Sequence, residues 1–168
     1  MICIRKHNLI IIMSSCYLLP FYKIYLNYDN NYTISNILTD ENNKNTILFY
    51  SLPLCITTII YEIQRKDIYS SIPIFFLLIG IIPVIIINEN EILHSIFAFQ
   101  VFISILCFMT RNCLLYKRYI FLMISLFAEY WLFLSIALNM NKNKNIFYCE
   151  YYFIINFLFY YLHLHFIS

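Results

Sequence analysis

Ser70-Ser71-Ile72-Pro73-Ile74-Phe75-Phe76-Leu77-Leu78-Ile79-Gly80-Ile81-Ile82-Pro83-Val84-Ile85-Ile86-Ile87-Asn88 is a stretch without a single charged side chain. A helix rises 1.5 Å per residue and needs about 20 apolar residues to cross a bilayer's hydrocarbon core. This stretch has that length. A transmembrane β-strand would alternate lipid-facing apolar with lumen-facing polar residues, whereas Ile81 to Ile87 do not alternate. The stretch therefore predicts a membrane-crossing helix. Working outward, five more segments of similar character stand at approximately 8–26, 47–63, 92–110, 119–138 and 147–166, separated by short polar breaks. The expected fold is all-α: a polytopic transmembrane helix bundle of about six spans, forming one integral membrane domain over residues 1–168.

Composition agrees. Hydrophobic residues make up 62% of the chain and charged ones 12%, more apolar surface than a water-facing domain of this size can hide. The 16 tyrosines suit membrane interfaces, where the ring lies in the apolar zone and the hydroxyl in the wet one. A net charge of +2, with no basic stripe, excludes nucleic acid as a partner. The six cysteines (3, 16, 55, 107, 113 and 149) have no metal-finger spacing and read as small hydrophobes. A single Gly excludes Gly-xxx-Gly helix contacts. Pro53, Pro73 and Pro83 fall inside spans, where each removes a backbone donor.

Lys and Arg orient the bundle, because cytosolic loops carry the excess. With the N-terminus inside, Arg5, Lys6, Arg65, Lys66, Arg111, Lys117 and Arg118 lie on the cytosolic side. Lys23, Lys44, Lys142 and Lys144 lie outside, a ratio of seven to four. Both termini are then cytosolic. Arg111, Lys117 and Arg118 read as an anchor to anionic lipid. The Asn-rich stretch 27–45 becomes an outer loop, and its Asn31-Tyr32-Thr33 triplet a glycosylation acceptor. Arg5, Lys6 and the apolar run after Asn8 resemble a signal peptide, but no small-x-small cleavage site follows, so a retained anchor is expected.

Ionisable groups at membrane depth are costly and therefore suspect as functional. Glu129 lies near the middle of the fifth span, where it should hydrogen-bond a neighbouring helix or form a polar site. His94 opens the fourth span, and Glu91-Ile92-Leu93-His94 puts a carboxylate and an imidazole on one helical face. Di-metal bundles use that spacing twice; a single occurrence at a helix end reads as an acidic cap and an interfacial His, and no metal or other cofactor is expected. Glu150 opens the sixth span. On the outer side, Glu150 and His94 could share a polar pocket with the acidic loop. Gln100 and Asn156 should hydrogen-bond between helices. No catalytic triad, HExxH or phosphate-binding loop is present.

Three features resemble the Frag1/DRAM/Sfk1 family, which also supplies the N-terminal part of Cwh43-type proteins. They are Tyr32-Thr33-Ile34-Ser35-Asn36 leading to Ile47-Leu48-Phe49, then Leu93-His94-Ser95-Ile96-Phe97-Ala98 with Phe102, and Cys149-Glu150-Tyr151 followed by Phe157-Leu158-Phe159-Tyr160-Tyr161. The chain departs from that pattern in its missing early glycines, in Asn36 and in Tyr151. The resemblance implies an endomembrane or plasma-membrane protein that modulates lipid handling or autophagy without catalysis, with membrane lipids and other membrane proteins as partners. Two alternatives stay open: a lipid-remodelling enzyme of GPI-anchor type using His94, Glu150 and Glu129, and a small transporter.

Overall fold

Asp40 sets the course of the Asn-rich stretch. In the computed structural model, which describes residues 5–26, 33–139 and 143–167, Asp40 ends α2 (Ile34–Thr39) and caps α3 (Glu41–Arg65). Its carboxylate accepts from the Asn42 N–H at 3.5 Å and the Asn43 amide at 3.1 Å. Side-chain oxygens at this position satisfy donors that the first helical turn leaves free. From Ile34 onward the expected loop is therefore largely helical, and the second long helix starts at Glu41 rather than at 47. Hydrophobicity marks the part of a helix inside a bilayer, but caps set where it begins. Thr33 and Asn36 form a reciprocal capping box at the start of α2. Asn31 and Tyr32 of the glycosylation triplet lie outside the described residues.

The remaining helices are α1 (Lys6–Leu26), α4 (Ile68–Ile86), α5 (Ile92–Leu115), α6 (Ile120–Asn139) and α7 (Asn143–Ile167). No strand occurs among the described residues. Consecutive long helices pack against one another, and α7 returns to α1, so the six close into a ring that α2 covers at one end. Prolines 20, 53, 73 and 83 all sit inside helices.

α4 and α5 pack closely at the one glycine. A Cβ at Gly80 would stand 2.8 Å from Val101 Cγ2 and 3.4 Å from the Phe97 carbonyl. The chain lacks a Gly-xxx-Gly pair, yet its single Gly still serves a tight helix crossing. Gln100 reinforces that crossing by donating from Nε2 to the Phe76 carbonyl at 2.8 Å, the interhelical bond expected of it.

Apolar side chains are distributed as in a protein solvated by lipid. The interior holds Phe108, Met109, Phe153 and Tyr160, all fully buried. The outside also carries large apolar groups: Phe127 is 75% exposed, Phe49 71% and Trp131 64%. A water-soluble monomer does not present such surface on most of its helices. Five helices, α1 and α3 to α6, are long and apolar enough to cross a membrane. The sixth long helix, α7, has 25 residues and is not among these five. Tyr160, Tyr161, Glu150 and Asn156 turn to protein partners, while Tyr148 and Tyr152 face outward. Tyr160 donates to the Met109 carbonyl at 2.8 Å, and Tyr17 of α1 donates to the Ile154 carbonyl at 2.8 Å.

Candidate functional site

Beneath α2 the ring holds a half-open cavity of about 160 Å³. α1, α3, α4, α5 and α7 supply its walls and α2 its cover, through residues such as Phe21, Leu54, Leu77, Val101 and Ile34. A second, 50 Å³ cavity lies beside it towards the other end of α7. Tyr17, Leu54, Leu77, Ile81 and Phe157 belong to both walls. Along α7 the two walls run from Glu150 to Leu162, so at 1.5 Å per residue the apolar seam covers about 18 Å of the bundle. An apolar lining of this kind favours apolar guests.

Glu150 is the single carboxylate on that wall, and it is 9% exposed. One oxygen, Oε2, accepts the Ile34 N–H at 2.9 Å and so fastens α2 to α7. A second tie holds α2 from α5's side, where the Asn36 amide donates to Glu89. Lys44 secures the neighbouring α3–α4 edge by donating to the Ile86 carbonyl at 2.8 Å.

The other two sequence candidates stand elsewhere. His94 is 3% exposed; its Nδ1 lies 3.1 Å from the Ile87 carbonyl, which requires Nδ1 to carry the proton and leaves Nε2 as an acceptor without a partner. Glu129 is fully buried between α6 and α7, accepting from the Asn156 amide through Oε2, while its Oε1 has no partner. Asn156 also donates to the Ser125 carbonyl at 2.9 Å and accepts the Ser125 hydroxyl at 2.6 Å. Both the neighbouring-helix bond foreseen for Glu129 and the interhelical role of Asn156 are thus present. Neither His94 nor Glu129 lines the cavity with Glu150. Among the described residues no three His, Cys, Asp or Glu side chains group so as to hold a metal.

Sequence reasoning missed a third buried acid. Glu62 is 1% exposed, near the end of α3 remote from α2. It accepts from the Tyr161 hydroxyl, from Ser71 Oγ at 2.6 Å and from Arg65 Nη1 at 3.3 Å. Arg65 also donates to Asn112 Oδ1 at 3.3 Å and stacks 5.7 Å from the Phe108 ring centroid. One carboxylate thereby joins α3, α4 and α7, and its Arg partner adds α5. Every group is satisfied, the pattern of a structural clasp. The available signal was an acid at i−3 to an Arg, inside a predicted span.

No protein-family model, curated protein or solved structure matches this chain.

Proposed function

We propose that the chain is a multi-pass membrane protein that handles lipid without catalysis, by holding an apolar chain in the cavity beneath α2. The observation that carries this reading is the cavity: an apolar space within a ring of membrane-type helices, extended by a second space along α7. In a bilayer, the molecules available to fill it are lipids. The resemblance to the Frag1/DRAM/Sfk1 family is in keeping with lipid handling in an endomembrane or plasma membrane, and with both termini in the cytosol. An enzyme using His94, Glu129 and Glu150 together is less favoured, because these side chains serve different helix pairs.

The test is photolabelling of the protein in nanodiscs by an alkyl-diazirine probe, with the labelled residues mapped by mass spectrometry. Saturable labelling of Leu77, Val101 and Ile105, lost when Ala98→Leu narrows the cavity, is the expected result. Labelling confined to the exposed perimeter and unaffected by Ala98→Leu would refute the proposal.

A further inference from the structure

The polar groups on the cavity wall make a demand on whatever enters. Tyr17 and Ser51 contribute hydroxyls, but both hydrogens are committed: Tyr17 donates to the Ile154 carbonyl at 2.8 Å, and Ser51 to the Ile47 carbonyl at 2.8 Å. What these oxygens have left is acceptor capacity. Glu150, when ionised, is an acceptor only, and a single N–H, that of Ile34, is recorded on it. Cys16 and Pro20 share the wall. Pro20 has no N–H to give the Cys16 carbonyl four residues earlier, so that carbonyl lacks its usual helical donor. The lining includes no Lys, Arg or His. The nearby cations are occupied: Lys23 donates to Thr46 Oγ1 at 2.9 Å, and Lys44 to the Ile86 carbonyl. The Ser35 hydroxyl, which can either donate or accept, and the Cys16 thiol, a weak donor, are the remaining polar side chains there. The wall is mostly apolar; its few polar groups are mainly acceptors, and none carries a positive charge.

Resting on the reading of the cavity as a lipid site, we infer that its ligand is a single-tailed amphiphile whose head donates hydrogen bonds and carries no negative charge. A hydroxyl or a protonated amine meets that description; a carboxylate or phosphate does not. The head lies against Glu150 under α2, and the tail runs along the seam towards Tyr161. A carboxylate head would find no cation on this wall and would oppose an ionised Glu150, whereas a hydroxyl or ammonium finds acceptors there, and an ammonium also favours the ionised form of Glu150. Phospholipids are disfavoured by their phosphate, which would meet acceptors and no cation.

The experiment uses four photoprobes with one diazirine tail: a headless alkane, an alcohol, a primary amine and a carboxylic acid. Each is applied to the full chain in nanodiscs, wild type and Glu150→Gln. A Gln oxygen still accepts the Ile34 N–H, so α2 keeps its tie. The expected result for wild type is cavity labelling by the alcohol or the amine roughly tenfold above the acid. In Glu150→Gln that preference shrinks to about twofold or less, while alkane labelling is unchanged. A preference for the amine alone would assign a lipid amine, and equal labelling by both would extend the class to lipid alcohols. Equal cavity labelling by all heads in the wild type would overturn the inference and leave the lipid site standing; so would a preference that survives Glu150→Gln. No saturable cavity labelling by any probe would overturn the lipid site itself.

Discussion

Glu62 and Arg65 are buried together, with side-chain exposures of 0% and 6%. Removing one partner of such a pair leaves an uncompensated charge and costs about 3–5 kcal/mol, whereas replacing both by apolar groups is often neutral. Glu62→Leu should therefore unfold the bundle at markedly lower denaturant, and Glu62→Leu with Arg65→Leu should recover most of the loss. Glu62→Gln, which keeps an acceptor for Tyr161, should fall between them. Unfolding curves in mixed micelles give all three values. Asn156→Leu breaks the bonds to Ser125 and Glu129; interhelical bonds in membranes contribute about 0.6–1.7 kcal/mol, so a loss of about 1–2 kcal/mol is expected by the same measurement. The sequence exposed Glu129 and Glu150 because each interrupts an apolar run. Glu62 was hidden by position, since an acid just before Arg65 and Lys66 reads as the solvated end of a helix. Its partners Ser71 and Tyr161 lie 9 and 99 residues away, and no periodicity states which helices become neighbours.

Helix boundaries and helix contacts depend on small local devices. Gly80 lets α4 approach α5, and an added methyl would meet Val101 Cγ2 at 2.8 Å. Overpacking of this kind costs about 1–3 kcal/mol. Gly80→Ala should lower stability by that amount, and Val101→Ala in the same chain should restore part of it. Additivity of the two changes in unfolding experiments would show that the methyl does not meet Val101. Asp67 caps α4, accepting from Ser70 Oγ at 2.6 Å and from the Ser70 N–H at 3.3 Å. These bonds, led by the hydroxyl and aided by Arg65 and Arg111, hold its carboxyl below the usual carboxylate value against a smaller opposing effect of burial. A carboxyl lowered on folding stabilises above its unfolded pKa, and the contribution disappears as pH falls through the folded value. Asp67→Asn should thus melt below wild type at neutral pH, with the gap closing once both are acidified below about pH 4. Thermal melts across that range test the sign. The apolar cores of the spans were legible because nothing but lipid-facing or packed residues fills them. The caps at Asp40 and Thr33 were not, because short polar residues in an Asn-rich stretch suit a loop equally well until a backbone N–H is seen to meet them.

Across the molecule, apolar side chains cover the outside of α1 and α3–α6, and these five helices have the length and composition to cross a bilayer. α7 has comparable length but spends its polar groups on protein partners: Glu150 on Ile34, Asn156 on Ser125 and Glu129, Tyr160 on Met109 and Tyr161 on Glu62. Mean apolarity understates such a helix, because the cost of a polar group at membrane depth falls when a neighbouring helix satisfies it. α7 packs along α6 and returns to α1, so the ring closes with α7 running through the same layer as the rest. Six crossings put the two termini on one side, and five would put them on opposite sides. On the proposed reading, the seven-to-four excess of Lys and Arg favours cytosolic termini. Asn90→Cys, in the turn between α4 and α5, should therefore react with an impermeant maleimide on intact cells. Tyr119→Cys, between α5 and α6, should react only after permeabilisation, and so should a cysteine tag appended after Ser168. A C-terminal tag labelled from outside, with Asn90→Cys labelled there too, would mean that α7 does not cross, and would remove the bilayer-spanning ring on which the cavity beneath α2 depends.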